Sequence, residues 1–165
     1  MSEQHRVFGV IAARGGSKGL PGKNVADLGG MPVIAWSVKA AQDARELSGF
    51  ILSSDDIAIQ AAARDAGCPV PFTRPEALAS DDASIMDVVF HALDWLGEDP
   101  QWTVLLQASS PLRTAADIDG CIRSCIASDA PAAVSVCESA KPPQWMFELA
   151  ADRTLIPIMP ASDTS

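Results

Sequence analysis

Val7-Phe8-Gly9-Val10-Ile11-Ala12-Ala13-Arg14-Gly15-Gly16-Ser17-Lys18-Gly19-Leu20-Pro21-Gly22-Lys23-Asn24 joins two unlike kinds of sequence within one short span. Residues 7–13 form an apolar run that reads as a buried strand. Between Arg14 and Lys23 fall four glycines, three cations and no acid. Glycines let backbone N–H groups approach an anion closely, and Arg and Lys supply charge to phosphoryl oxygens. A locally basic, flexible loop at the C-terminal end of a first strand therefore reads as a phosphate cradle. The alternative is an ordinary exposed loop of solvated cations. Arg14 argues against it, because it abuts the strand, where an unpaired cation is poorly solvated. The spacing is not that of a Walker A loop, since Ser17 stands where that motif needs its first glycine and Asn24 where it needs Ser or Thr. No G-x-G-x-x-G spacing can be drawn through Gly15, Gly16, Gly19 and Gly22 either.

Outward from this loop, strand-like and helix-like segments alternate. Residues 32–47 read as a helix with Ile34, Val38 and Ala41 on one face, 50–52 as a short strand, and 55–66 as an Ala-rich helix. Residues 70–72 read as a weaker strand bracketed by prolines. The clearest helix is 84–96, where Ile85, Val88, Val89, Ala92, Leu93 and Leu96 trace one apolar stripe. Trp102–Gln107 reads as a buried strand. Residues 114–128 read as a helix opened by a Thr114…Asp117 capping box, and 132–137 as another strand. Such alternation predicts an α/β fold, a doubly wound and mostly parallel sheet with helices on both faces. Ligands in such sheets bind beyond the carboxyl ends of the strands, so the loops after residues 13, 52 and 107 should share one rim. From Lys141 onward, Pro142, Pro143, Pro157 and Pro160 break the rhythm.

Composition narrows the classes. The chain has 165 residues, 48% of them hydrophobic and 20% charged, and a formal net charge of -9. That length suffices for one domain burying about two-thirds of its unfolded surface. An acidic balance argues against a nucleic-acid binder, which needs a broad basic face. No apolar run approaches the ~20 residues of a membrane span, and residues 1–6 do not form a signal-peptide pattern, so a cytoplasmic location is expected. Cys68, Cys121, Cys125 and Cys137 include no Cys-x-x-Cys pair, and His5 and His91 add little toward a zinc site. Tyrosine is absent, which excludes a phenolic acid or base. Trp36, Trp95, Trp102 and Trp145 are read as packing residues.

Three segments in register carry a family resemblance. Residues 14–24 resemble the N-terminal motif of the acylneuraminate (CMP-sialic acid) cytidylyltransferases. Arg74-Pro-Glu-Ala-Leu-Ala-Ser-Asp-Asp-Ala-Ser84 and Leu105-Leu-Gln-Ala-Ser-Ser-Pro-Leu-Arg113 follow in that family's order and spacing. The resemblance implies a Rossmann-like fold of the nucleotide-diphospho-sugar transferase type. The implied activity is transfer of CMP from CTP to the anomeric hydroxyl of an N-acylneuraminate-type nonulosonic acid, with release of pyrophosphate. It implies Arg14 and Lys23 as the catalytic cations on the triphosphate, with Gly15, Gly16 and Ser17 in the nucleotide-binding loop. Asn24 would help hold the nucleoside, or cap a turn. Arg74 precedes Pro75 and so sits in extended backbone; the resemblance sets it against the cytosine with Ala83 and Ser84 nearby. Ser84 is also placed to cap the following helix with Asp87, and Ile85 stands where the family often has a second serine. Gln107 would bind the sugar, or remain a satisfied strand-end amide. Arg113 could reach an anion or pack at the helix start. Asp55 and Asp56 read as first-turn acids on a helix N-terminus rather than metal ligands.

The same resemblance assigns residues 1–140 to a nucleotide-binding α/β domain and 141–165 to an irregular tail. That tail would begin a dimerisation and sugar-binding segment. Magnesium is the implied cofactor, but the acidic pair that holds it in the family has no match in this sequence. The implied partners are CTP and a nonulosonic acid sugar, with a homodimer, no nucleic acid and no membrane. Two other readings stay open: a catalytically inactive nucleotide-binding or interaction module, and a cytidylyltransferase for an eight-carbon keto acid. The latter would be expected to carry an acid near Gln107.

Overall fold

Strand β1 (Val7–Ala12) is the middle of a three-stranded parallel sheet, between β4 (Gly49–Ser53) and β5 (Trp102–Gln107). This computed structural model describes residues 5–97, 100–138 and 142–159. They fall into two compact units, Met1–Ala133 and Val134–Ser165. The register of the first unit's sheet fixes the working end of the molecule. Ala12 lies opposite Ser53 on one side and Gln107 on the other. The three strands therefore end level, and the segments leaving them meet on one rim.

Because successive side chains of a strand face opposite ways, β1 feeds two cores. Val7 and Ile11 pack with Leu52, Leu106 and residues of α1 (Val33–Asp43), α2 (Ile57–Asp65) and α4 (Ala115–Ala127). Val10 faces the other way, with Ile51 and Ala92 of α3 (Ile85–Leu96), flanked by Phe8 and Phe72. Strands covered on both faces need the continuous apolar sequence that β1 has. The doubly wound α/β arrangement expected from the alternation is thus present. Ile11, Ile34 and Leu52 are wholly buried, and truncating any of them to Ala should cost about 2–5 kcal/mol.

Local chemistry sets the helix ends. Asp56 caps α2 by accepting from the Ile59 N–H at 3.0 Å. Ser84 caps α3 through the Met86 N–H, and Gly97 closes that helix at φ 65°. Thr114 and Asp117 form the reciprocal capping box on α4 that their spacing predicted. The buried Asp119 of α4 accepts from the N–H groups of Arg45 and Glu46, fixing the turn after α1. One element was not expected. Before α1, β2 (Asp27–Leu28) and β3 (Met31–Pro32) form a hairpin through Gly29 and Gly30, both at positive φ. A Gly-Gly pair between short apolar runs is the local signal for such a turn, and the Trp36 indole N–H ties it down by donating to the Leu28 carbonyl.

Two expected strands are not formed. Residues 70–72 carry no strand pairing; the ladder beyond β4 stops at one bond, from the Leu52 N–H to the Pro69 carbonyl. Pro69 and Pro71 lack N–H donors, so the segment cannot extend a ladder. Residues 132–137 are exposed and unpaired. In the second unit, β6 (Phe147–Leu149) and β7 (Leu155–Pro157) make a short antiparallel hairpin. At its turn the Asp152 carboxylate accepts from the Thr154 hydroxyl and N–H. The packing role expected for the tryptophans fails at Trp145, which is largely exposed, whereas the half-exposed Trp95 sets its ring against Phe72 at 5.8 Å. No helix among the described residues is long and apolar enough to cross a membrane.

Candidate functional site

A cleft of ≈ 480 Å³ opens at the level ends of β1 and β5. Arg14, Ser17, Lys23 and Asn24 line it from the glycine loop, Arg74 from the segment after α2, and Gln107 from the end of β5. Six of the residues singled out from sequence thus converge on one hollow. Lys18, Ile85 and Ser109 complete its polar and apolar wall. Gly15, Gly16, Ala83 and Ser84 lie beside the lining rather than in it.

The loop is shaped before any ligand arrives. The buried Asn24 donates its amide Nδ2 to the Arg14 carbonyl at 3.0 Å, closing the loop's end onto its beginning. Asn24 therefore closes the loop while also lining the cleft. Gly15 serves a close approach. A Cβ there would sit 2.6 Å from Asp56 Oδ2, and its N–H already donates to Asp55 Oδ1 at 3.2 Å. Asp55 thus holds the loop, a role the helix-terminus reading of this acid had missed. Gly16 faces open space, and the Ser17 N–H turns back onto the Gly15 carbonyl at 2.8 Å.

The cleft's cations differ in their surroundings. Arg74 is only 5% exposed. Its Nε donates to Ser53 Oγ at 3.0 Å, its Nη2 to the Ser53 carbonyl, and its N–H to the Ser54 carbonyl at 2.8 Å. Burial pushes its pKa below the ordinary value, the Asp55 charge pushes it back up, and Arg14 lowers it further. Arg14 is a rim residue. It donates through Nη1 to the Ser80 carbonyl at 3.1 Å and through Nη2 to Asp81 Oδ1 at 2.7 Å. Lys18 reaches the other oxygen of Asp81 at 2.7 Å. Lys23 has no ion-pair partner among the described residues. The Gln107 side chain has no hydrogen bond among them either, while its carbonyl accepts from Arg113 Nη2 at 2.7 Å. Arg113, its pKa lowered by burial against the raising effect of Asp117, braces the β5–α4 turn and is absent from the cleft lining.

Chemically, the hollow offers cations, amides and hydroxyls, and its lining holds no carboxylate. That donor set suits a polyanion with a polar organic group attached. It does not suit magnesium, which wants carboxylate oxygens. Among the described residues no group of three or more His, Cys, Asp or Glu side chains could hold a metal ion. Cys68 is chemically quiet: burial pushes its thiol up to about 12.

Residues 8–144 match the family profile described as cytidylyltransferase. The CMP-N,N'-diacetyllegionaminic acid synthase of Legionella pneumophila is 39% identical over 114 residues, covering 66% of this chain and 48% of that protein. The pseudaminic acid cytidylyltransferase of Campylobacter jejuni is 38% identical over 106 residues, covering 62% of this chain and 46% of its own. Among solved structures, a CMP:2-keto-3-deoxy-manno-octonic acid synthetase complexed with CTP superposes with a TM-score of 0.65 at 23% identity. It covers 76% of this chain and 49% of that one, and shows the shared fold. The chain spans about half the length of these relatives. A profile match over most of its residues shows that the chain belongs to the cytidylyltransferase family.

Proposed function

We propose that this chain binds CTP in the cleft above β1 and transfers CMP to the anomeric hydroxyl of an N-acylneuraminate-type nonulosonic acid. The observation that carries the reading is the convergence of Arg14, Lys23, Asn24, Arg74 and Gln107 on one hollow at the carboxyl end of a parallel sheet. Relatives named for legionaminic and pseudaminic acid support the acceptor class. In the reaction, the sugar's anomeric oxygen attacks the α-phosphorus in line, the bond to the β-phosphate bridging oxygen breaks, and pyrophosphate leaves. The hydroxyl proton passes to solvent. Such a transfer needs positioning and charge neutralisation rather than a covalent protein intermediate. Arg14 and Lys23 would carry the charge on the triphosphate, and Arg74 and Asn24 would shape the nucleoside end. Ala83 and Ser84 would flank the base, with Gly15, Gly16 and Ser17 setting the loop backbone. Gln107, whose side-chain amide has no hydrogen bond among the described residues, would orient the sugar. Magnesium is the cofactor that the resemblance implies; the cleft lining offers no carboxylate to hold it, and no step of the transfer is routed through it. A cytoplasmic homodimer is proposed as the working form. The exposed Phe147, Leu149, Leu155 and Ile156 of the β6–β7 hairpin support it as apolar surface suited to a second subunit.

One relative favours a second acceptor. The 3-deoxy-manno-octulosonate cytidylyltransferase of an Anaeromyxobacter dehalogenans strain is 40% identical over 103 residues. Incubating the chain with CTP, magnesium and either a nine-carbon or an eight-carbon keto acid, and measuring pyrophosphate, separates the two. Release with the nine-carbon acid alone, abolished in Arg14→Ala, is expected. Release only with the eight-carbon acid moves the acceptor class. CTP binding without release in either case reduces the chain to a nucleotide-binding module.

A further inference from the structure

The glycine loop carries three cations, and a carboxylate just outside the cleft lining already supplies a counter-ion to two of them. Asp81 accepts from Arg14 Nη2 on one carboxylate oxygen and pairs with Lys18 Nζ on the other, each at 2.7 Å. The neighbouring Ser80 carbonyl takes Arg14 Nη1 at 3.1 Å. The hydrogen bonds from Lys18 and then Arg14 hold the Asp81 carboxyl below the usual carboxylate range. These contacts join the phosphate wall to the segment that runs from Arg74 to the start of α3, the same segment that supplies Arg74 and Ile85 to the cleft. Both pairs are open to solvent: the Asp81 side chain is 47% exposed and that of Lys18 78%. Exposed pairs are weak, and a polyphosphate brings more charge and better geometry to an arginine than one carboxylate does. A fixed carboxylate beside the cations also repels any phosphate that approaches.

We propose that Asp81 is a positioning residue that acts through Arg14 and Lys18 as an internal competitor of the triphosphate. It engages these cations so that any polyphosphate, free or carried by a nucleoside, must displace it to bind. This inference rests on the cleft being a nucleotide triphosphate site, and needs none of the transfer chemistry proposed above.

Calorimetric titration of the full chain with inorganic tripolyphosphate and with CTP tests it, in wild type, Asp81→Asn and Asp81→Glu. Asp81→Asn should tighten tripolyphosphate binding about three- to tenfold. CTP should gain by a similar factor, because its triphosphate displaces the same carboxylate, while Asp81→Glu keeps the wild-type affinities. Binding of either ligand that is unchanged or weaker in Asp81→Asn overturns the proposal. A reading on the unaltered chain guards against a destabilised variant. Saturating tripolyphosphate should raise the Asp81 carboxyl pKa, followed by 13C NMR, toward the ordinary carboxylate value. A pKa that stays where it was also overturns the proposal. Absence of pyrophosphate release alongside tighter tripolyphosphate binding in Asp81→Asn would remove the transferase reading and leave this one standing.

Discussion

Arg14 and Arg74 line the same cleft, yet they stand in opposite relations to the fold. Arg74 is buried, and its guanidinium is used up on the end of β4, where it satisfies both the hydroxyl and the carbonyl of Ser53. Arg14 lies at the rim, held among the described residues by the exposed Asp81 carboxylate and the Ser80 carbonyl. One arginine builds the wall; the other is available to a ligand. The cleft therefore pairs a rigid wall at Arg74 with an adjustable rim side chain at Arg14.

The strongest way to break this contrast is Arg74→Ala. It leaves Ser53 Oγ without its donor in a buried position and should lower stability by about 2–4 kcal/mol in urea unfolding, with CTP binding lost as the wall collapses. Full stability with selective loss of CTP would make Arg74 a ligand contact and erase the distinction. Arg14→Ala should do the reverse. CTP affinity is expected to fall about 10–100-fold, from one or two charged hydrogen bonds, while stability changes by less than ~0.5 kcal/mol. Between the two stands Gly15→Ala, whose new Cβ meets Asp56 Oδ2 at 2.6 Å and Asp56 Cβ at 2.9 Å. Asp56 cannot swing aside without releasing the Ile59 N–H, so about 1–2 kcal/mol of stability should be lost, with some weakening of CTP. Thr114→Ala removes a capping box whose residues are absent from the cleft lining. It should cost about 1 kcal/mol with CTP affinity untouched; a change in affinity would show that the scaffold and site are coupled.

The smallest effect is one of pH. Asp81 and Asp117 are both held below the usual carboxylate range, Asp81 by hydrogen bonds from Lys18 and Arg14, Asp117 by the N–H and hydroxyl of Thr114. A depressed folded-state pKa contributes stability that is present above the unfolded value of about 3.9 and lost as pH falls through the lower folded value. Urea midpoints should therefore decline below about pH 4, and Thr114→Ala should flatten part of that decline. An identical profile in the variant would remove Asp117 from the cause.

Much of the fold was legible because it is written in local periodicity. The apolar run of β1 and the stripe of α3 each predict an element whatever lies elsewhere in the chain. Residues 132–137 have the same strand-like composition, yet a strand also requires a neighbour, and composition cannot supply one. Residues 70–72 failed for a reason that was visible: the flanking prolines remove the donors a ladder needs. The site was legible as a set of residue types at the ends of strands. Its internal pairing was not. Asp81 meets Arg14 across 67 residues, and nothing in its own surroundings, Ser80-Asp81-Asp82, marks it apart from a solvated acid. Asp55 was misread for the same reason, since its partner is the Gly15 N–H, 40 residues away.

The hydrogen bond from Asn24 to the Arg14 carbonyl makes a ring of the segment between them. A ring formed during folding has already surrendered its conformational freedom, so ligand capture need not order those residues again. A ligand should then meet a loop backbone already set, with only the Arg14 and Lys18 side chains left to turn. Opening the ring with Asn24→Ala would turn the same event into coupled folding and binding, slower to settle and dearer in entropy.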